Sequence, residues 1–125
     1  MKKTEMLKKN YEFKSVLTKG KFFAGKEIEI FIYKNSKKRN LLGIAIGTKN
    51  GKAFQRNRAK RLIRESYARL ENQLLDGYSL VVLLRKNFDI NKLTFNGVFE
   101  EMRDIFEDAK ILKEEEDLWK KYVYI

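Results

Sequence analysis

The residues with the clearest chemical potential are cations that crowd the middle of the chain. Between residues 49 and 69 there is one acid, Glu65, and there are eight cations: Lys49, Lys52, Arg56, Arg58, Lys60, Arg61, Arg64 and Arg69. Five of these are arginines, whose planar guanidinium groups hold phosphate through paired hydrogen bonds and stack on bases. Like charges four residues apart on a helix cost about 0.2–0.5 kcal/mol per pair. The pattern therefore predicts a surface that binds an external polyanion.

Helical periodicity places most of these cations on one side of a helix predicted for residues 54–70. Apolar and small side chains recur at spacings of three and four, at Ala59, Leu62, Ile63, Ser66, Tyr67 and Leu70. At 100° per residue the opposite face carries Asn57, Arg58, Lys60, Arg61, Arg64 and Arg69, with Arg56 on its flank. Phosphate contacts position a nucleic acid without specifying it. This face alone leaves both RNA and DNA open.

The remaining segments alternate between helices and strands. We predict a helix over residues 10–18, a short strand at 22–23, strands over 27–33, 41–49 and 78–84, and a last helix over 95–109. The turn composition of residues 35–40 favours a hairpin between the strands at 27–33 and 41–49. The order indicates a single-domain α+β fold, with helices packed on a sheet of about four strands.

Composition limits the size, the class and the compartment of the protein. The 125 residues include 43% apolar side chains and carry a net charge of +11, which fits one basic globular domain. The absence of Cys and His excludes thiolate and imidazole chemistry. The longest apolar run, from Leu80 to Leu84, is far below the roughly 20 residues that span a bilayer. We expect a soluble, cytoplasmic protein without a membrane partner.

Acidic residues are concentrated in the last third of the chain. Glu100, Asp104 and Asp108 recur every four residues on the last predicted helix. Three carboxylates can hold Mg²⁺, which makes a metal-dependent nuclease one alternative. No group that would position a nucleophile accompanies them, so we interpret them as a solvated helix face. The protein is predicted to have no catalytic residue and no metal site of its own.

One segment resembles a known family. The chain is similar to the signature segment of the bacterial ribonuclease P protein at Arg56-Asn57-Arg58-Ala59-Lys60-Arg61-Leu62-Ile63-Arg64-Glu65, which follows a strand and a Gly-x-Ala turn within residues 43–54. The similarity runs from about residue 7 to residue 112, and includes Arg85-Lys86 after the last predicted strand. Thr48 departs from the family's common lysine pair, and Asn87 stands where proline is frequent.

The resemblance implies a fold and a function. The family has the order αβββαβα, with a left-handed crossover around the Arg-rich helix, against a right-handed preference of about 98%. Its members bind the catalytic RNA of ribonuclease P and the 5′ leader of precursor tRNA, and the RNA removes the leader by metal-dependent hydrolysis. The implied partners are these two RNAs, with no DNA. The implied Mg²⁺ belongs to the RNA–substrate active site, not to protein side chains.

The matched positions also imply two sets of contact residues. The set for the catalytic RNA comprises Lys49, Lys52, Arg56, Asn57, Arg58, Lys60, Arg61 and Arg64. The set for a leader-binding cleft comprises Phe13, Leu17, Phe31 and Tyr33. Stacking on aromatic rings is typically worth about 1–3 kcal/mol per base. Aromatic residues at helical and strand spacing are also typical of a protein core, which is the alternative for the cleft.

Two other binding functions stay open at this stage. A noncatalytic ribosomal or general structured-RNA binding protein has the same kind of composition. A DNA-binding protein would place the Arg-rich helix in a major groove, although the surrounding strands and the lack of a second helix at turn distance disfavour it. We expect residues 1–125 to form one domain, with 113–125 as a candidate C-terminal extension.

Overall fold

Strand-forming and helix-forming segments assemble into one mixed sheet with helices on both faces. The structure, a computed structural model, describes residues 3–114. Its elements are β1 (Thr4–Met6), α1 (Asn10–Lys19), β2 (Lys21–Ala24), β3 (Ile28–Lys34), β4 (Asn40–Ala45), α2 (Ala53–Leu70), β5 (Tyr78–Leu84) and α3 (Phe95–Asp108). The predicted α+β class is confirmed. None of the helices within residues 3–114 is long and apolar enough to cross a membrane.

The sheet has the strand order β1-β4-β5-β3-β2. The central strand β5 is parallel to β4 and antiparallel to β3. β2 pairs with β3 as an antiparallel hairpin, and β1 pairs in parallel with β4 at the opposite edge. The connection from β4 through α2 to β5 therefore joins two parallel neighbours. The left-handedness of this crossover remains a prediction that rests on the resemblance to the ribonuclease P protein family.

The predicted hairpin between the strands at 27–33 and 41–49 is wrong. β5 lies between β3 and β4, so these two strands do not pair. Leu80, Val81 and Val82 of β5 are fully buried, which makes this strand apolar on both faces. Such a strand gains most from the central position, where both of its faces are covered.

The number and length of the strands also differ from the prediction. The sheet has five strands instead of about four, because Thr4–Met6 adds a short parallel strand at one edge. β4 ends at Ala45 and not at residue 49, since Thr48–Asn50 forms a 3-10 turn. The turn carries Lys49 away from the sheet and toward the start of α2.

Side chains on the two faces of the sheet form two separate cores. The isoleucines of β3 are buried in a larger core together with side chains of α2 and α3. The opposite face carries Leu41 and Val81, which pack with Val16 of α1 in a smaller core. Phe31 and Tyr33 are half-buried against this smaller core. The predicted alternation of β3 is confirmed, and it separates the α2 side of the sheet from the α1 side.

The candidate extension at residues 113–125 lies outside the described residues from 115 onward. The residues just before that point are attached to the turn that follows α2. Leu74 and Leu112 form an isolated antiparallel bridge, and the N–H of Lys113 donates to the carbonyl of Gln73 at 2.7 Å. This pairing fixes residues 112 and 113 beside the C-terminal end of α2.

A buried hydrogen bond attaches the first strand to α2. The hydroxyl oxygens of Thr4 and Tyr67 lie 2.6 Å apart, and Tyr67 is fully buried. Burial raises the pKa of Tyr67 to about 12, because the phenolate would lose its hydration in this site. The bond holds an edge strand against the helix that carries the cations.

We expect Tyr67→Phe to lower the free energy of unfolding by about 1–2 kcal/mol at neutral pH, because the Thr4 hydroxyl loses its buried partner. Since the folded-state pKa is raised, the stability of the wild type falls as the pH rises from about 10 through about 12, where the unfolded tyrosine ionises first. The difference between the two proteins should therefore shrink over that range.

Urea unfolding of both proteins at neutral and alkaline pH measures this difference. Tyr11→Phe is the matched control, because it removes the hydroxyl of a tyrosine that is 68% exposed. A difference between wild type and Tyr67→Phe that stays constant up to about pH 12 would contradict the argument.

Candidate nucleic-acid interface

Helix α2 separates its apolar and cationic side chains onto opposite faces. Ala59, Ile63 and Tyr67 are fully buried in the larger core and attach the helix to the domain. The other face exposes Asn57, Arg58, Arg61, Arg64 and Arg69, while Arg56 and Lys60 are half-buried. The two faces predicted from helical periodicity are confirmed.

The N-terminal turn of α2 is fixed by the side chain of Gln55. The backbone N–H of Lys52 donates to Gln55 Oε1 at 2.7 Å, which satisfies a backbone donor at the helix start. Gln55 Nε2 in turn donates to Asn91 Oδ1 at 2.9 Å. The helix start is thereby attached to the 3-10 turn Ile90–Lys92.

Two arginines of α2 are oriented by backbone carbonyl groups. Arg56 Nη1 donates to the carbonyl of Gly51 at 2.6 Å, and Arg58 Nη2 donates to the carbonyl of Leu93 at 3.0 Å. Each guanidinium group has five N–H donors, so both keep donors for an external ligand. Their orientation is set before any ligand binds.

The acids within residues 3–114 do not form ion pairs with the cations of α2. The ion pairs in this part of the chain are Arg39–Glu5 at 2.8 Å, Arg85–Glu29 at 3.4 Å and Arg103–Asp104 at 3.8 Å. Arg69 is a special case, because its guanidinium carbon lies 4.8 Å from the ring centroid of Phe95 on α3. The other cations of the helix form no ion pair with an acid among residues 3–114, and a positive surface of this kind attracts polyanions.

Two lysines extend this cationic surface beyond the helix. Lys49 lies in the turn Thr48–Asn50 and Lys52 immediately precedes α2, and both are exposed. All the residues predicted for contact with the catalytic RNA therefore lie on α2 or on the turn that immediately precedes it. We refer to this set as the α2 face: Lys49, Lys52, Arg56, Asn57, Arg58, Lys60, Arg61 and Arg64.

The residues predicted for the leader cleft lie on the α1 side of the sheet. Phe13, Phe31 and Tyr33 contact the smaller core and are half-buried, while Leu17 is 37% exposed. A Cβ atom at Gly43 would lie 2.5 Å from a ring carbon of Phe13, so glycine permits this close approach of helix and sheet. Phe13 and Phe31 therefore pack against the smaller core with part of each ring, and their contact with a leader stays a prediction.

An open groove of about 570 Å³ lies between α1 and the sheet. Of the four predicted cleft residues, Tyr33 lines this groove. The other lining residues include Tyr11, Glu12 and Ser15 of α1, and Lys34 and Lys37 at the end of β3 and in the turn after it. Tyr11 is not among the predicted cleft residues, although its spacing of four from Ser15 places both on one side of the helix.

The acidic residues of α3 either cap backbone groups or face solvent. The carboxylate of Glu101 accepts hydrogen bonds from the N–H of Glu27 at 2.9 and 3.0 Å and of Ile28 at 3.2 Å. Burial and the nearby Glu101 raise the pKa of Glu27. The exposed acids of α3 are Glu100, Asp104, Glu107 and Asp108. Within residues 3–114, no group of three or more acids is placed to hold a metal ion.

These features define a class of small basic α+β domains with a cationic helix on one side of the sheet and a groove on the other. A family model described as Ribonuclease P matches residues 1–110. The chain belongs to the ribonuclease P protein family, as the signature segment predicts. A protein component of ribonuclease P is a subunit of the endoribonuclease that matures the 5′ end of tRNA, and it assembles with an RNA subunit.

Individual relatives agree with this assignment. The chain is 36% identical over 107 residues to the ribonuclease P protein component of Natranaerobius thermophilus, covering 86% of this chain and 91% of that protein. It is 38% identical over 112 residues to the component of Dictyoglomus turgidum, covering 89% and 93%.

Solved structures of ribonuclease P proteins share the fold. The protein from Staphylococcus aureus has a TM-score of 0.75 and 25% identity, covering 86% of this chain and 97% of that one. The protein from Thermotoga maritima has a TM-score of 0.74 and 27% identity, covering 83% and 96%. The mixed sheet and its helices are therefore those of this family.

We expect Arg61→Ala and Arg64→Ala each to weaken the affinity for the cognate catalytic RNA by about 1–1.5 kcal/mol, roughly five- to tenfold, because each removes a charged donor to phosphate. Both side chains are exposed, so folding should not change. Filter-binding titrations at one salt concentration measure the effect.

Lys26→Ala is the control, because this exposed lysine lies in the turn between β2 and β3, beside the acids of α3. It changes the net charge by the same amount but lies outside the α2 face. Equal losses for Lys26→Ala and the two arginine variants would mean that general charge, not the α2 face, determines the affinity.

Proposed function

We propose that this chain binds the catalytic RNA of ribonuclease P through the α2 face and the 5′ leader of precursor tRNA through the groove beside α1. The observation that carries the proposal is the α2 face, whose cations form no ion pair with an acid among residues 3–114. A folded RNA supplies the dense phosphate charge that such a surface attracts. The RNA performs the hydrolysis, and the protein positions the substrate and neutralises phosphates.

The four arginines of the α2 face divide into two kinds. Arg61 and Arg64 are exposed, and no hydrogen bond joins them to another side chain within residues 3–114. They are free to pair with phosphates as the RNA approaches. Arg56 and Arg58 are held by backbone carbonyls, so they present donors at fixed positions. Mobile charges supply attraction, and the fixed donors set the register of the RNA on the helix.

The groove beside α1 has the chemistry expected for a single strand. Tyr11 and Tyr33 supply aromatic rings for stacking, and Lys34 and Lys37 supply positive charge. Glu12 also lines the groove, and its pKa is lowered by hydrogen bonds from two backbone N–H groups at the start of α1. An ionised Glu12 repels phosphate, so the leader backbone follows the lysines while its bases face the tyrosine rings.

We infer that Mg²⁺ is not held by the side chains of residues 3–114. No group of three or more acids within residues 3–114 is placed to bind a metal ion, and the α2 face repels cations. We therefore assign the metal to phosphate oxygens of the RNA–substrate active site. The protein's contribution is to bind both RNAs and to reduce the repulsion between their phosphates.

Cleavage of precursor tRNA at low Mg²⁺ tests the proposed function. The reaction is measured with this protein alone, with the cognate catalytic RNA alone, and with both together. Strong cleavage is expected only with both, because protein cations replace part of the Mg²⁺ needed to screen phosphates. Cleavage by the protein alone would contradict the assignment of chemistry to the RNA. Absence of activation by folded protein would favour a general structured-RNA binding protein.

The role of the groove is tested by comparing precursor with mature tRNA. We expect Tyr11→Ala to weaken binding of precursor tRNA to the assembled enzyme by about 1–2 kcal/mol, roughly five- to thirtyfold, because a stacking ring is lost. Mature tRNA has no leader, so its affinity should stay unchanged. Tyr11→Phe keeps the ring and should bind both like the wild type. Equal weakening of precursor and mature tRNA by Tyr11→Ala would contradict leader binding in the groove.

A further inference from the structure

Phe54 is an aromatic side chain at the start of α2 that packs into neither core. It is 69% exposed, although Ile63, Tyr67 and Leu70 on the same helix are buried. It directly precedes Gln55, whose side chain caps the helix start. A phenyl ring in this position contributes little to the stability of the fold, because most of it stays in solvent. We therefore ask which external ligand the ring could contact.

A pocket of about 280 Å³ adjoins this ring. Its lining residues are Phe54, Gln55, Arg58, Ile90 and Asn91. Gln55 is bonded to Asn91 at 2.9 Å, and Arg58 is bonded to the carbonyl of Leu93 at 3.0 Å. These bonds connect the helix to the turn on the other side of the pocket, so its walls are formed before a ligand binds.

The lining of the pocket has the donors and surfaces that recognise a nucleobase. The phenyl ring of Phe54 and the guanidinium group of Arg58 are both planar groups that stack on bases. They are four residues apart and therefore lie on the same side of the helix. Among residues 3–114 the Asn91 side chain is bonded through Oδ1, which accepts from Gln55, and this leaves the Nδ2 donors for acceptor atoms on the edge of a base.

The charge around the pocket indicates the kind of molecule that carries this base. Lys49 and Lys52 precede the helix, and Arg56 and Arg61 follow along it. A neutral aromatic ligand would gain no electrostatic attraction from these cations. A nucleotide of an RNA chain, in contrast, can place its base in the pocket and its phosphates beside the cations.

We propose that the pocket between Phe54 and Asn91 binds one unpaired nucleobase of an RNA whose phosphates lie on the α2 face. The inference rests on the proposed function, because it assumes that RNA occupies this face. Phosphate contacts alone allow an RNA to slide along the helix, and a captured base fixes its register. The catalytic RNA and the precursor tRNA offer the same chemistry, so the experiment must distinguish them.

Substitutions of Phe54 in the full-length chain test the proposal. Phe54→Ala should weaken binding to the RNA that supplies the base about 5- to 150-fold, the range expected for the loss of one stacked base. Phe54→Leu keeps an apolar side chain but has no aromatic face, and should be as weak as Phe54→Ala. Phe54→Trp keeps a stacking surface and should bind within about twofold of the wild type. Urea unfolding of each variant verifies that folding is unchanged.

The salt dependence of binding separates stacking from charge. Phe54→Ala removes no phosphate contact, so the slope of log K against log salt should equal that of the wild type. Arg61→Ala should reduce the magnitude of the slope by about 0.7–0.9. A change of slope for Phe54→Ala would overturn the stacking role.

Two binding measurements show which RNA supplies the nucleobase that binds in the pocket. One uses the cognate catalytic RNA alone, and the other uses precursor tRNA with the assembled enzyme. A loss in either one supports the proposal and assigns the base to that RNA. Wild-type affinity of Phe54→Ala for both, while Arg61→Ala binds weakly, overturns the proposal and leaves the proposed function intact. Failure of the wild type to bind the catalytic RNA would instead overturn the proposed function.

Discussion

Repulsion between cations on one helix is the constraint on which the rest of the structure depends. Helix α2 has to stay folded while the cations on its exposed side form no ion pair with an acid among residues 3–114. The buried stripe of Ala59, Ile63 and Tyr67 supplies the attachment. Further restraints act at the two ends, through the bond between Gln55 and Asn91 and through the bridge that follows the helix. A polyanion bound to this side of the helix relieves the repulsion by supplying negative charge.

The central strand β5 lies between two cores on opposite faces of the sheet, and α2 covers one of them. Since β5 is apolar on both faces, it supports the larger core beneath α2 and α3 and the smaller core beneath α1. The α2 face and the α1 groove therefore belong to different cores. Substitutions on one side should leave the packing of the other unchanged, so the proposed contact with the catalytic RNA and the proposed contact with the leader can be tested by separate mutations. A single-core domain would not give this independence.

Local patterns in the sequence predicted the helices and the cationic face, because both depend on spacing within one segment. The repeat from Ala59 to Leu70 defined the buried stripe of α2, and the residues opposite it are exposed as expected. Pairing of strands depends on residues far apart in the chain. The insertion of β5 between β3 and β4, and the edge position of Thr4–Met6, had no local signal.

The same difference between local patterns and long-range contacts explains why most of the residues that line the groove beside α1 were not predicted from the sequence. Phe13 and Phe31 matched the family pattern, yet their orientation depends on how α1 crosses the sheet at Gly43. The groove lining that includes Tyr11 and Lys37 arises from two segments that meet only in the folded chain. Family membership thus located the general region, while the three-dimensional structure was needed to name the residues that line it.

The affinity of the wild-type protein for the cognate catalytic RNA, measured as a function of salt, tests the central claim most directly. If the α2 face contacts about five phosphates, log K should fall against log salt with a slope of roughly −3.5 to −4.5, because each contact releases counterions from the RNA. A slope near zero would contradict the account, since it would mean that the uncompensated cations of α2 do not bind phosphate.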